Sequence, residues 1–169
     1  GFDLAIRIGA MEDSLLVARR IAANRRVLCA SPDYLRRRGQ PRVPQDLQDH
    51  ECLLLFGSSG RQEVWRLHDA QGKEIPVRVR GRFESNLGEL LRDASVAGEG
   101  IAIHSLWHIA EDLRAGRLQV VLPDFPLATT AISAVMPQRR QVPPRVRAFV
   151  DFLVDELGDA PPWERGLPC

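Results

Sequence analysis

Residues 85–122, "SNLGELLRDASVAGEGIAIHSLWHIAEDLRAGRLQVVL", carry the clearest fold signal in the chain. Two runs with apolar residues at helical spacing alternate with two short apolar runs, "IAIH" and "RLQVVL", that favour strands. Gly98 and Gly116 follow the two helical runs, as glycines do where helices end. Alternating helices and strands are typical of α/β layers with parallel strands. We therefore predict an α/β fold.

The first of these helices has a defined predicted start and buried face. Asn86 is expected to cap its N-terminus, and Glu89, three residues later, completes a capping-box pattern. Apolar residues at helical spacing are expected to form the buried face: Leu87, Leu90, Leu91 and Ala94.

The segments on either side extend the α/β pattern. "DLAIRI", "RRVLCAS", "ECLLLF" and "TTAISAVMP" are predicted strands, while "DSLLVARRIAAN" fits either a helix or an extended segment. Ser31 and Pro32 begin a short helix in "SPDYLRRRG", and "EVWRLHD" with "EIPVRVRGRFES" predicts a hairpin that turns at Gly72. A final helix, "PPRVRAFVDFLVDEL", has an apolar face made of Val146, Phe149, Val150, Leu153, Val154 and Leu157.

Composition excludes several classes of protein. No apolar run approaches the ~20 residues that span a bilayer, so no membrane segment is predicted. A formal net charge of +1 argues against a dedicated nucleic-acid surface. Cys29, Cys52 and Cys169 are odd in number and lack paired spacing, which indicates neither a disulfide framework nor a zinc site. No cofactor is predicted.

Enzyme motifs are also missing from the sequence. There is no GxSxG, HExxH, P-loop or GxGxxG pattern. His104, His108 and Glu111 could share one helix face as metal ligands, and His50 could activate Cys52, but neither set has the further residues that such sites need. The sequence therefore favours a protein that is not an enzyme.

Polar residues at strand ends are the better candidates for a binding site. In open α/β sheets, ligands gather at the carboxyl ends of strands, where helix N-termini offer free N–H groups. Four places qualify: Arg7 to Gly9, Ser31, Ser85 with Asn86, and His104 with Ser105. Each Ser or Asn could equally serve only as a helix cap. Arg7 lies in an apolar strand and could receive a carboxylate through two hydrogen bonds.

Several segments together resemble the regulatory domain of LysR-type transcriptional regulators. They include "GFDLAIRIG", "RRVLCASPDYLRRRGQPRVPQDLQDHECLL", "GRFESNLGELLRDASVAGEGIAI", "GRLQVVLPDF" and "AVMPQRRQVPPRVRAFVDFLVDEL", in the family's order. The resemblance implies a fold like that of type 2 periplasmic binding proteins: two lobes, two crossing strands and an effector in the cleft. Residues 1–30 and 131–157 would form a first, incomplete lobe, residues 31–130 the second lobe, and residues 158–169 a loose tail.

The resemblance also implies a set of effector-binding residues. By position, the cleft would be lined by Arg7, Ile8, Gly9, Ser31, Phe83, Ser85 and Asn86. His104 joins them as a candidate, although "IHSLW" departs from the family's usual Pro near Ser105 and leaves the role of His104 open. The expected effector is a small carboxylate or aromatic molecule, with no metal or cofactor.

The expected partners follow from the same resemblance. The domain would be part of a cytoplasmic homo-oligomer, dimer or tetramer, and would reach promoter DNA only through an N-terminal helix-turn-helix that this sequence lacks. No membrane contact is expected. The alternative is an extracytoplasmic solute-binding protein of the same fold, which an upstream secretory signal would distinguish.

The resemblance further implies that the strands opening the first lobe precede Gly1. We therefore expect residues 1–169 alone to be poorly stable or to borrow strand pairing from a neighbouring chain, because an exposed sheet edge invites pairing. Size-exclusion chromatography combined with thermal unfolding checks this expectation. A cooperative unfolding transition of a monomer would contradict it.

Overall fold

The computed structural model describes residues 3–9, 16–57, 60–137, 142–158 and 160–167. Its α-helices are α1 (Pro32–Arg38), α2 (Gly88–Val96), α3 (Leu106–Arg114) and α4 (Pro144–Leu157), and short 3-10 helices cover Pro44–Asp49 and Pro162–Glu164. Its strands are β1 (Ala5–Ile8), β2 (Leu16–Asn24), β3 (Arg26–Ala30), β4 (Leu54–Gly57), β5 (Gly60–Arg61), β6 (Val64–His68), β7 (Glu74–Arg78), β8 (Glu84–Ser85), β9 (Ala102–Ser105), β10 (Gln119–Val121) and β11 (Thr130–Pro137).

Contacts between residues divide the described chain into two compact units. The first unit takes its residues from Gly1–Arg25 and Thr129–Arg165, and the second from Arg26–Ala128 and Gly166–Cys169. Strand β3, which the sequence analysis assigned to the first lobe, lies in the second unit because it pairs with β9 and β10.

The first unit is a three-stranded antiparallel sheet with one helix. Its strand order is β1-β11-β2, so the described part of the ambiguous segment, Leu16–Asn24, is a strand. Helix α4 packs through Val146 and Val150 against sheet residues that include Ile132 and Ala134. The predicted apolar face of α4 is wrong at Phe149, which is 49% exposed, since the buried stripe is narrower than the pattern suggested.

The segment that the sequence predicted to be a loose tail has defined contacts. Pro162–Glu164 forms a 3-10 turn, and Trp163 packs against the apolar cluster of the first unit. The carboxylate of Glu164 forms an ion pair with Arg25. A tryptophan buries a large apolar area, which accounts for the attachment of a segment without periodicity.

The second unit contains a sheet of order β10-β3-β9, the β6–β7 hairpin and a smaller sheet of order β5-β4-β8. The predicted parallel arrangement is wrong for β9 and β10, because each pairs antiparallel with β3. These two strands run in the same direction on opposite sides of β3. Parallel pairing does occur between β4 and β8 and at the Cys52–Ile101 bridge.

Local sequence signals place the hairpin and α1 correctly. Gly72 has a φ of 78° at the hairpin turn, and Val77 and Val79 are buried as their alternation predicted. Ser31 caps α1: its Oγ accepts a hydrogen bond from the Tyr34 N–H at 3.1 Å.

The predicted N-terminus of α2 is wrong. The helix begins at Gly88, and Ser85, not Asn86, supplies the local hydrogen bond, its Oγ accepting from the Leu87 N–H at 3.0 Å. The predicted buried face is also wrong at Leu87 and Leu90, which are 52% and 47% exposed, whereas Leu91 is buried.

Helices α2 and α3 are joined by ion pairs to one buried carboxylate. Asp112 on α3 accepts from Arg92 Nε at 2.6 Å and Arg92 Nη2 at 2.8 Å, and from Arg117 Nε at 2.7 Å. Its side chain is 1% exposed. Burial alone would raise the pKa of Asp112, but the hydrogen bonds from Arg92 and Arg117 outweigh burial and lower the pKa.

We expect Asp112→Asn to lower the free energy of unfolding of the second unit by about 3 kcal/mol, because it leaves two guanidinium groups without their buried partner. Asp93→Asn is the matched control, since Asp93 pairs with the same Arg92 at 3.0 Å but is exposed, and we expect a loss below about 1 kcal/mol. Urea unfolding measures both. Equal losses in the two variants would contradict a dominant role for Asp112.

Candidate functional site

The best candidate site is a cavity of about 360 Å³ within the second unit. The ends of β3 and β9 and the first turns of α2 and α3 provide much of its wall. Its polar lining residues are Arg26, Gln62, Asn86, Glu89, His104, Ser105 and His108, and its apolar ones include Leu53, Trp65, Ile103 and Trp107.

Arg26 supplies a half-buried cationic group to this cavity. Its Nε is buried and has no hydrogen-bond partner among the described residues, while Nη2 makes a long contact of 3.4 Å to the Ala128 carbonyl oxygen. Burial lowers the pKa of Arg26, yet an arginine stays charged at neutral pH. An unpartnered guanidinium N–H is costly in a folded protein, and an anionic ligand would satisfy it.

His104 supplies a second unsatisfied polar atom. The residue is 4% exposed, and its Nε2 is buried without a partner among the described residues. Burial, reinforced by His108, lowers the pKa of His104 to about 4, so the ring is neutral at pH 7. Its ring contacts that of His108 edge-to-face, with centroids 5.4 Å apart. A hydrogen bond to the Leu91 backbone opposes the decrease in the pKa of His104. Because Nε2 has no partner among the described residues, Nδ1–H makes that bond, and the neutral ring presents Nε2 as an acceptor.

The remaining walls combine apolar and polar groups. Trp65 is 3% exposed and Trp107 is 41% exposed, and both indole rings belong to the lining. Asn86 and Ser105 add an amide and a hydroxyl. An apolar pocket with a few convergent polar groups is the usual form of a small-molecule site.

The structure brings together only some of the predicted site residues. Asn86 and His104 line the cavity. Ser85 is buried and does not line the cavity, its Oγ accepting from the Leu87 N–H, and Phe83 is 39% exposed on the preceding segment. Ser31 lies near Gly98, beyond the C-terminus of α2 and so at the other end of that helix from Asn86.

Arg7, Ile8 and Gly9 belong to the first unit. Arg7 and Ile8 are exposed on β1, and Gly9 donates a backbone hydrogen bond to Ala131. Their contacts with an effector stay a prediction.

Arg26 is the residue that sequence reasoning missed. Arg25 and Arg26 form one of several short arginine runs in the sequence, and such runs usually indicate a solvated surface. The sequence offers the same kind of signal at Arg26 as at Arg7. Arg26 borders an apolar strand, where an arginine is costly unless it is paired.

The two catalytic alternatives find no support in the geometry. Burial, with a smaller effect of Glu51, raises the pKa of Cys52 to about 12, and His50 Nδ1 contacts the Tyr34 hydroxyl at 3.0 Å. Within the described ranges, no three His, Cys, Asp or Glu side chains are grouped so as to hold a metal ion, His104, His108 and Glu111 included. Among the same residues, no helix combines the length and apolar composition needed to cross a bilayer.

The α/β units and the apolar cavity with buried polar atoms are typical of domains that bind small molecules. The family model described as the LysR substrate binding domain matches residues 1–158. The chain therefore belongs to the LysR substrate-binding domain family, whose regulatory domains have a fold like that of type 2 periplasmic binding proteins.

Curated relatives and solved structures agree with this assignment. The chain is 35% identical over 153 residues to the HTH-type transcriptional regulator DmlR of Escherichia coli K12, covering 90% of the chain and 49% of DmlR. It is 36% identical over 158 residues to CrgA of Neisseria meningitidis serogroup C, covering 93% and 52%. The structure of CrgA from N. meningitidis matches with a TM-score of 0.78 at 35% identity, over 93% of this chain and 53% of that chain. The chain thus spans about half the length of these curated relatives.

Because the pKa of His104 is lowered in the folded chain, we expect the free energy of unfolding of the second unit to depend on pH. Between pH 6.5 and pH 4 the unfolded chain binds a proton at His104 that the folded chain does not, so acidification favours unfolding. We expect the second unit to lose about 3 kcal/mol at most over this range through His104. The same loss should be absent in His104→Gln.

Urea unfolding followed by tryptophan fluorescence measures this dependence. A Trp163→Phe background removes the reporter of the first unit and leaves Trp65 and Trp107. If wild type and His104→Gln lose stability equally between pH 7 and pH 4.5, His104 is not the buried neutral group described here.

Proposed function

We propose that the cavity of the second unit binds a small-molecule effector, a carboxylate with an aromatic or apolar body. The observation that carries the proposal is the pair of buried polar atoms on one cavity, Arg26 Nε and His104 Nε2, which have no partner among the described residues. A carboxylate would accept from Arg26, and its apolar body would lie against Trp65 and Trp107. Contacts of Ser31, Phe83, Ser85 and Arg7 to Gly9 with an effector stay predictions from the sequence and are not part of this cavity.

The effector would act by biasing the states of a larger regulator. A ligand that binds one of two conformations more tightly shifts the population toward it. We propose that this domain belongs to a cytoplasmic homo-oligomer that binds promoter DNA through a helix-turn-helix outside this chain. The names of DmlR and CrgA, both transcriptional regulators, support this function over that of an extracytoplasmic solute-binding protein. They also support a role without catalysis.

A thermal-shift screen of carboxylates and aromatic compounds on the complete chain tests the proposal. A ligand that binds only the folded state raises the melting temperature in a concentration-dependent way. We expect Arg26→Gln to weaken the best hit about ten-fold or more, because a charge-assisted hydrogen bond contributes about 1.5–3 kcal/mol.

Arg66→Gln is the matched control for charge. Arg66 lies in the same unit on β6, is exposed and pairs with Glu74, away from the cavity. Its variant should bind the hit as wild type does. A screen without a hit, or equal weakening by both variants, would contradict the proposed site.

A further inference from the structure

The second unit has another cavity, of about 400 Å³, which shares no lining residue with the candidate effector site. It lies between the C-terminal end of α1, the residues that follow the 3-10 helix Pro44–Asp49, and the segment after β7. Its basic lining residues are Arg38, Arg80 and Arg82, together with His50. We refer to it as the arginine cavity.

Two arginines of this cavity have no acidic partner among the described residues. The Glu51 carboxylate accepts a hydrogen bond from the backbone N–H of Arg82 and forms an ion pair with Arg82 Nε at 3.6 Å. Arg38 and Arg80 form no ion pair with any residue in the described ranges. Asp49, the other acidic residue of the lining, is exposed and likewise makes no ion pair there. The arginine cavity therefore has more positive than negative charge.

His50 adds a buried, oriented hydrogen-bond donor. The residue is 8% exposed, and its Nδ1 lies 3.0 Å from the Tyr34 hydroxyl. That hydroxyl accepts from the Glu51 N–H at 3.0 Å and lies 3.5 Å from the Glu51 carbonyl oxygen, a second acceptor. When the hydroxyl donates its proton to Nδ1, the ring hydrogen lies on Nε2. When the ring is protonated, Nε2 carries a hydrogen as well.

Two backbone segments approach each other closely beside the arginine cavity. The Cys52 N–H donates to the Arg80 carbonyl oxygen at 3.0 Å. A Cβ at Gly81 would lie 1.6 Å from the Cys52 carbonyl oxygen, so only glycine allows the two segments to approach this closely. This approach holds Arg80 and Arg82 on either side of Gly81 beside His50.

Charges on the neighbouring elements favour an anion near His50. Burial lowers the pKa of His50, Arg38 lowers it further, and Asp46 and Asp49 oppose the decrease. An anion in the cavity would offset the positive charge of Arg38. Three guanidinium groups from two segments offer more donors than the two oxygens of a carboxylate can accept, whereas a phosphate group presents three or more oxygens.

We propose that the arginine cavity binds a phosphate group, that of free inorganic phosphate or of a phosphorylated metabolite, through Arg38, Arg80 and His50 Nε2–H. This second site is independent of the effector proposed above and would let the domain respond to a second chemical signal.

Inorganic phosphate and glycerol 3-phosphate are the probes, titrated into the complete chain at constant ionic strength and followed by the NMR resonances of the His50 ring. We expect saturable shifts of those resonances and an increase in the pKa of His50. Tighter binding of glycerol 3-phosphate identifies the source as a metabolite, and equal or weaker binding identifies it as free phosphate. Unchanged His50 resonances with both probes would overturn the proposal.

Four variants test whether phosphate binds at the arginine cavity. Arg80→Gln and Arg38→Gln should each weaken binding about ten-fold. Arg36→Gln removes the same charge from α1, where Arg36 is exposed and pairs with Asp33 instead, and should change binding less than two-fold. Arg26→Gln should leave phosphate binding unchanged. Equal weakening by Arg36→Gln would show nonspecific attraction, and a loss of binding in Arg26→Gln would place phosphate in the effector cavity; either result would overturn the proposal.

Discussion

The ion pairs of Asp112 with Arg92 and Arg117 hold together the part of the second unit that surrounds the candidate site. Burying a carboxylate is costly unless hydrogen bonds and opposite charge offset the loss of hydration. Here three hydrogen bonds from two guanidinium groups provide that compensation. The bidentate contact joins α2, whose first turn carries Glu89, to α3, whose first turn carries Trp107 and His108. A binding site needs such support, because small displacements of its side chains weaken recognition.

Buried polar groups give the candidate effector site and the arginine cavity different chemistry. In the candidate effector site, Arg26 Nε and His104 Nε2 are buried and two tryptophans belong to the lining, which suits a ligand with one anionic end and an apolar body. In the arginine cavity the guanidinium groups remain near solvent, and only His50 is buried. Exposed arginines attract an anion weakly one at a time, so recognition there depends on several of them acting together with an oriented imidazole.

Local signals in the sequence were enough for some elements and not for others. The Ser31 cap and the Gly72 turn depend on a few neighbouring residues, and both occur as predicted. The resemblance to the LysR family rests on several segments in order and is confirmed by the family match. Strand direction could not be predicted in the same way, since the partner of β9 and β10 is β3, more than 70 residues away in sequence from β9. The sequence predicts the cap of α2 at Asn86 because Glu89, three residues later, completes a capping-box pattern. Ser85 has a similar capping preference and supplies the hydrogen bond instead.

Some of the site residues could be predicted from the sequence, and one depends on the folded chain. Asn86 and His104 follow from their positions at an element boundary, and both line the cavity. Arg26 differs from the neighbouring Arg25 only in where its side chain points, and Arg25 pairs with Glu164 in the first unit. Both residues border the same apolar strand, so this feature of the sequence does not distinguish Arg26 from Arg25. Burial of a single guanidinium nitrogen is a property of the folded chain.

The most direct test of the central claim is the ring-nitrogen chemical shifts of His104, recorded by NMR while the best carboxylate from a ligand screen is added. If the cavity of the second unit is the effector site, the Nε2 resonance shifts and reaches saturation at the same ligand concentration as the thermal stabilisation of the chain. A His104 resonance that stays unchanged while the chain becomes saturated would contradict the claim and place the effector elsewhere.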